Sequence, residues 1–292
     1  MTAPPPDGSR DRRIEDPTNL WLIHPAARAL LAPAVAAGIS ANAVSLAGLA
    51  LGIGAALCYA HWTSAVEVLL GFALSVAWLI ADGLDGMVAR ATGTASPLGR
   101  FLDGLCDHGV FILIYVAMAL SIGTGEGWML AVLAGAAHIG QSSLYEGERA
   151  RFHRRVRGVA APTPVYPSAD APLLMRGYDR LAGAPDRLGL PFERLLARQP
   201  RPLVLATRYA RRAVPAMRVQ SLLSANVRVA LIAIACLAGN PRIFWWAEIV
   251  ALSAVTAVGL ALHRRVEHGL VSSTSPIRGG DGFSPALPTR DR

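Results

Sequence analysis

The chain has 292 residues, of which 53% are hydrophobic and only 16% charged, and its mean hydropathy is +0.39. That balance excludes an ordinary soluble domain and points to several membrane spans. The formal net charge of +8 comes from Arg alone, since the sequence holds no Lys. Most of that charge lies between Arg149 and Arg218, with no nucleic-acid-binding motif beside it, which argues against a nucleic-acid partner.

Residues 1–18 are polar and Pro-rich with no apolar h-region, so they read as a disordered N-terminus and not as a signal peptide. Leu20–Ala36 mixes apolar residues with His24, Pro25, Arg28 and Pro33, which predicts an interfacial amphipathic helix. Six spans follow, measured against the ~20 apolar residues that a bilayer needs. They run over about Ala43–Ala60, Ala65–Arg90, Pro97–Ile122, Trp128–Tyr145, Leu222–Leu237 and Phe244–Leu262, and the fourth continues as a polar helix toward Arg157. The expected class is therefore all-α: an integral membrane domain over 19–270, with an interfacial helix and six transmembrane helices. Within it, residues 157–216 form an Arg- and Pro-rich cytoplasmic loop between spans four and five, set on an anionic membrane surface. The tail 271–292 is Gly-, Ser- and Pro-rich and reads as disordered. Cys58, Cys106 and Cys236 lie apart in apolar stretches, which argues against a disulfide scaffold or a zinc site.

Orientation follows from Arg placement. The connections near His61–Ser64 and Gly123–Gly127 hold none, whereas the N-terminus, the Arg90–Arg100 turn, the 157–216 loop and Arg264–Arg265 are Arg-bearing. The positive-inside rule then puts both termini on the cytoplasmic side, in keeping with an even number of spans.

Four aspartates fall at that same surface. Asp82 and Asp85 are three apart and share a face of the second span; Asp103 and Asp107 are four apart and share a face of the third. The short link Ala91–Ser96 makes the two helices antiparallel neighbours, so the carboxylates meet at one depth. Acids in or beside a bilayer are costly and mark function. Four together repel one another unless cations sit among them. An all-oxygen set suits Mg²⁺ or Mn²⁺, and rough charge balance asks for two ions. Gly86 and Gly99 flank the carboxylates and leave room for a ligand, whereas Gly83 and Gly104 read as helix-packing positions. Arg90, one turn beyond Asp85, suits a phosphate or diphosphate. Asp107, farthest from the turn, is the candidate to accept a hydroxyl proton.

This segment resembles the signature of the CDP-alcohol phosphatidyltransferase family: D-G-x-x-A-R, eight residues, then G-x-x-x-D-x-x-x-D, with a further Asp three before the first. Asp82, Asp85, Gly86, Ala89, Arg90, Gly99, Asp103 and Asp107 fill every fixed position. The resemblance implies an enzyme of phospholipid biosynthesis. Such an enzyme moves a phosphoryl-alcohol (phosphatidyl) group from a CDP-linked alcohol to a hydroxyl acceptor and releases CMP. Asp82, Asp85, Asp103 and Asp107 would bind two metal ions, with Asp107 also the general base. Gly86, Ala89, Arg90 and Gly99 would lie around the CDP moiety. Where the family carries a Pro-Asn-x-x-Thr-like stretch, this chain reads Ala41-Asn42-Ala43-Val44-Ser45, and Asn42 is the position carried over to the nucleotide. The resemblance also implies membrane lipids as partners, a homodimer and the inner membrane of a bacterium.

Two branches fit. The chain length is similar to enzymes that use CDP-diacylglycerol. Ser96-Pro97-Leu98-Gly99 and Cys106-Asp107-His108 resemble the choline/ethanolamine phosphotransferases, which act on a lipid alcohol. Arg149, Arg151 and Arg154 beyond the fourth span, and Arg228 within the fifth, are candidates for an acceptor phosphate; the first three serve equally as topology signals. His138 reads as a hydrogen-bonded core residue, and Glu67 and Glu248 as interfacial. The rival from another class is a cation or proton transporter, which would spread its acids through the bilayer depth. A third reading is an inactive scaffold that keeps the fold.

Overall fold

The computed structural model describes residues 11–95, 97–161 and 184–274; the side chains of 97–105, 184–188 and 274 lie outside the description. No strand occurs among the described residues. A π-helical turn (Asn19–Ile23) leads into α1 (His24–Ala36), which is followed by α2 (Ala41–Tyr59), α3 (Ala65–Ala91), α4 (Pro97–Ile122) and α5 (Gly125–Val156). Next come α6 (Ala184–Arg198), α7 (Pro202–Gln220) and α8 (Ala225–Leu237). The last rod joins α9 (Arg242–Trp246), a π-helical segment (Ala247–Leu252) and α10 (Ser253–Thr274). Hydroxyl caps start the apolar helices: Ser40, Ser64, Thr124 and Ser224 accept from the amides of Ala43, Glu67, Gly127 and Val227.

The predicted α3–α4 hairpin is present, with α3 ending at Ala91 and α4 beginning at Pro97. Gly93, at φ +66°, takes the left-handed position that closes α3. Small residues bring α2 close to this hairpin: a Cβ on Gly52 would meet Val110 Cγ1 at 2.8 Å and Val110 Cβ at 3.0 Å. Trp78 and Phe111 stack edge-on across the hairpin, 5.4 Å between ring centroids. Large apolar side chains face outward on the same helices, among them Leu46, Val66, Leu120 and Val132, as a lipid-facing surface requires.

Among the described residues three helices are long and apolar enough to cross a membrane, namely Ala41–Tyr59, Ala65–Ala91 and the Arg242–Ser273 rod; a fourth arises if α7 and α8, bent by 43°, count as one span. Six spans were expected. Of the other expected spans, α8 has only 13 residues and α5 turns polar in its second half.

Three expectations need correction. The 157–216 segment is not a plain loop, because α6 and α7 fold onto the ends of α5 and α10, and residues 162–183 between them lie outside the description. Phe152, Phe192, Leu196, Tyr209, Met217 and Leu270 make a second apolar core. Nor do the N-terminal residues read as disordered from Asp11 onward, since Ile14 enters this second core and Glu15 and Asp16 are buried. Likewise α10 continues to Thr274, past the expected boundary at 270; residues 1–10 and 275–292 lie outside the description.

Charge stitches the second core together. Arg155, fully buried, donates from Nε to Glu193 at 2.8 Å, pairs with Glu267 and lies 4.9 Å from the Phe192 ring centre. Burial acts to raise the pKa of Glu193, but the Arg155 charge, the Ala161 amide and Arg154 outweigh it, and the pKa falls. Burial opposes ionisation of Glu148 too, and His263, Arg264 and Arg151 again lower the result. Depressed carboxylate pKa values contribute stability above the ordinary carboxylate range, and that stability is lost as pH falls through the folded-state values. Hydrogen exchange in α6 and α7, corrected for intrinsic rate, is therefore expected to accelerate below about pH 4. Equal protection at about pH 3.5 and pH 7 would contradict this account.

Candidate active site

A cavity of about 510 Å³ opens beside the α3–α4 hairpin. Asp82 on α3 and Asp107 on α4 both line it. Asp85 is buried on the same helix as Asp82, and its Oδ2 accepts from the Ser45 hydroxyl of α2 at 2.5 Å. Ser45 thus fixes one carboxylate from a second helix, at the position where the resemblance has Thr. Asp103 and Gly99 stand on the helical backbone of α4, but their side-chain surroundings lie outside the described residues. Gly83 packs on α1, where a Cβ would find Ala27 Cβ at 3.6 Å, in line with a packing role.

Arg90 is exposed at the end of α3, and its guanidinium turns back toward Gly86: a Cβ there would meet Nη1 at 3.3 Å. Gly86 and Ala89 are half-buried on the same turns. Asn42 is exposed at the start of α2 and does not line the cavity.

Hard divalent cations take oxygen donors. Asp82, Asp85 and Asp107 supply them on one hairpin, and Asp82 and Asp107 both line the cavity. This donor set fits Mg²⁺ or Mn²⁺. A different group, Glu148, His263 and Glu267, also brings its ligand atoms within 4.8 Å of one another. There, however, Arg264 donates to both oxygens of Glu267 at 2.6 Å, Arg155 pairs with Glu267, and Arg151 reaches Glu148 at 2.8 Å. Guanidiniums cannot lose their charge, so they already occupy the sites that a cation would need. We read this group as an ion-pair core.

The far wall of the cavity comes from α5, the start of α8 and the N-terminal segment. His138, Ser142, Glu146 and Arg149 line it from α5, and Asn226 and Arg228 from α8. Arg228 is 1% exposed and does not snorkel: its Nε donates to Glu248 at 3.0 Å and its Nη2 to Gln141 Oε1 at 2.9 Å. Glu248 is fully buried, which overturns its reading as interfacial. His138 lies with Nδ1 3.5 Å from Glu248, which agrees with a core role, although it also reaches the cavity. Arg151 and Arg154 turn to Glu148 and Glu193 and do not line the cavity.

Sequence reading missed the N-terminal strap. Glu15 accepts from Arg149 at 3.0 Å and from Asn19 at 2.9 Å, and Asp16 accepts from Ser224 at 2.9 Å. Asn226 donates to Thr18 and Asn19 at 2.6 and 2.8 Å. The strap thereby brings Asn19 and His24 to the wall. The only signal available was the pair Glu15-Asp16 in a stretch otherwise poor in apolar residues.

Residues 38–148 match the model of the CDP-alcohol phosphatidyltransferase family. The match starts just before α2, ends in the polar extension of α5 and takes in all four aspartates. Over this segment the chain is similar to that family.

Proposed function

We propose that this protein is a member of the CDP-alcohol phosphatidyltransferase family that transfers a phosphatidyl group from CDP-diacylglycerol to a hydroxyl acceptor and releases CMP, at the cytoplasmic face of a six-span membrane domain. The observation that carries the reading is the shared cavity wall of Asp82 and Asp107, inside the segment that matches the family. The placement of Arg in the connections supports the orientation.

In this reading Asp82, Asp85, Asp103 and Asp107 hold two Mg²⁺ or Mn²⁺ ions. When bound, such ions offset diphosphate charge and polarise the phosphoryl centre. Ser45 keeps Asp85 in one rotamer. Arg90 meets the diphosphate, with Gly86, Ala89, Gly99 and Asn42 beside the nucleotide. Asp107 takes the proton of the acceptor hydroxyl, whose oxygen bonds to the phosphorus bearing the diacylglycerol as the bond to CMP breaks. A second reading, transfer from CDP-choline or CDP-ethanolamine to a lipid alcohol, is favoured only by Ser96-Pro97-Leu98-Gly99 and Cys106-Asp107-His108. A transporter would spread its acids through the bilayer depth, whereas the four aspartates fall within one helical hairpin.

Purified protein in detergent is expected to release CMP only with Mn²⁺ or Mg²⁺ present, and Asp103→Asn is expected to cut the rate by about a hundredfold or more. Release that persists in chelator, or a fully active Asp103→Asn, would sink the reading.

A further inference from the structure

We infer that the acceptor is a small water-soluble alcohol that carries no phosphate, either an uncharged polyol or an amino alcohol. This rests on the transferase reading above and adds the chemistry of the second substrate.

Phosphate recognition needs cationic N–H donors turned to the ligand, and Arg supplies them best. Among the described residues two arginines line the cavity, Arg149 and Arg228. Both are matched by carboxylates. Arg228 bonds to Glu248 at 3.0 and 3.3 Å, to Gln141 at 2.9 Å and to the Leu223 carbonyl. Arg149 bonds to both oxygens of Glu15, at 3.3 and 3.0 Å, and to Glu146 at 3.4 Å. The Glu15 side chain is 3% exposed, so water does little to screen its charge. Two carboxylates therefore face the one guanidinium of Arg149, and one faces that of Arg228. Two wall histidines stand beside the same acids: His24 lies 3.8 Å from Glu15, and His138 lies 3.5 Å from Glu248.

A phosphate brought to this end of the cavity would meet carboxylates already holding the donors it needs. It would also add to the negative charge of the nearby aspartates. Hydroxyl and ammonium groups meet no such conflict. Ser142 and Ser143 line the same cavity and offer them hydroxyl partners. Acyl chains gain nothing from such groups, which separates this site from one built for a lipid alcohol.

The test offers purified full-length protein CDP-diacylglycerol, Mn²⁺ and matched acceptors: inositol against inositol phosphate, glycerol against glycerol 3-phosphate, with serine and choline beside them. A parallel reaction pairs CDP-choline with diacylglycerol. The unphosphorylated member is expected to give at least about tenfold higher kcat/KM for CMP release. Preference for the phosphorylated member, or release only with diacylglycerol, overturns the inference. Glu15→Gln removes the carboxylate charge from Arg149 and is expected to move the ratio about tenfold toward phosphorylated acceptors. A purely structural Glu15 would lower both rates alike and leave the ratio fixed, against the inference. No release with any acceptor, while CDP-diacylglycerol still binds with metal, also overturns it. Loss of that metal-dependent binding overturns the transferase reading itself.

Discussion

Asp107→Asn is expected to lower CMP release by about a thousandfold while weakening binding of the nucleotide-lipid by less than about tenfold. The substitution is nearly isosteric. It keeps an oxygen that can touch a cation or a hydroxyl, and it removes the basicity needed to accept a proton. Asp107 lines the cavity from α4, as Arg149 and Asn226 line it from α5 and α8. Asp85 is placed differently, buried and held by Ser45, which suits a ligand group better than a base. Asp85→Asn is therefore the informative comparison: it should act mainly through metal affinity and be partly rescued by raised Mn²⁺, whereas Asp107→Asn should not be. Single-turnover kinetics with saturating metal separates the two. Rescue of Asp107→Asn by metal alone, or its turnover at the parent rate, would remove Asp107 from the role of base.

Much of this site was legible because its geometry is local. Spacings of three and four put each carboxylate pair on one helix face, and a five-residue connection forces the two faces together. The observed hairpin, Ala65–Ala91 and Pro97–Ile122, follows from those constraints and from apolar length. Helices α6 and α7 were hidden for the opposite reason. Pro191 and Pro215 interrupt α6 and α7, and their polar faces dilute the apolar pattern. Their stability comes from partners remote in sequence, such as Arg155 with Glu267, 112 residues away. The strap was equally unreadable, because Glu15 finds Arg149 at a separation of 134 residues. Charges in long apolar runs invite local explanations, and Glu248 drew one. Its partners, Arg228 on α8 and His138 on α5, become visible only once the helices are packed.

That buried pair supports the other large effect. Glu248→Ala leaves the Arg228 guanidinium, 1% exposed, in a low-dielectric core without its counter-charge. Breaking a buried pair from one side costs about 3–5 kcal/mol, so the variant should melt roughly 10 °C lower in detergent. Gln141 and the Leu223 carbonyl still bond to Arg228, which keeps the loss finite. The double variant Arg228→Met with Glu248→Leu removes both charges at similar volume and should recover most of the stability, since paired apolar replacements are often neutral. A Glu248→Ala protein as stable as the parent would refute the account, as would a double variant no better than the single one. Turnover in the double variant then decides what the pair is for. Restored folding with restored CMP release makes Arg228 and Glu248 a structural rivet between α8 and the last helical rod. Restored folding without CMP release assigns them to the cavity wall, where their mutual neutralisation keeps anionic acceptors out and neutral ones in register with Asp107.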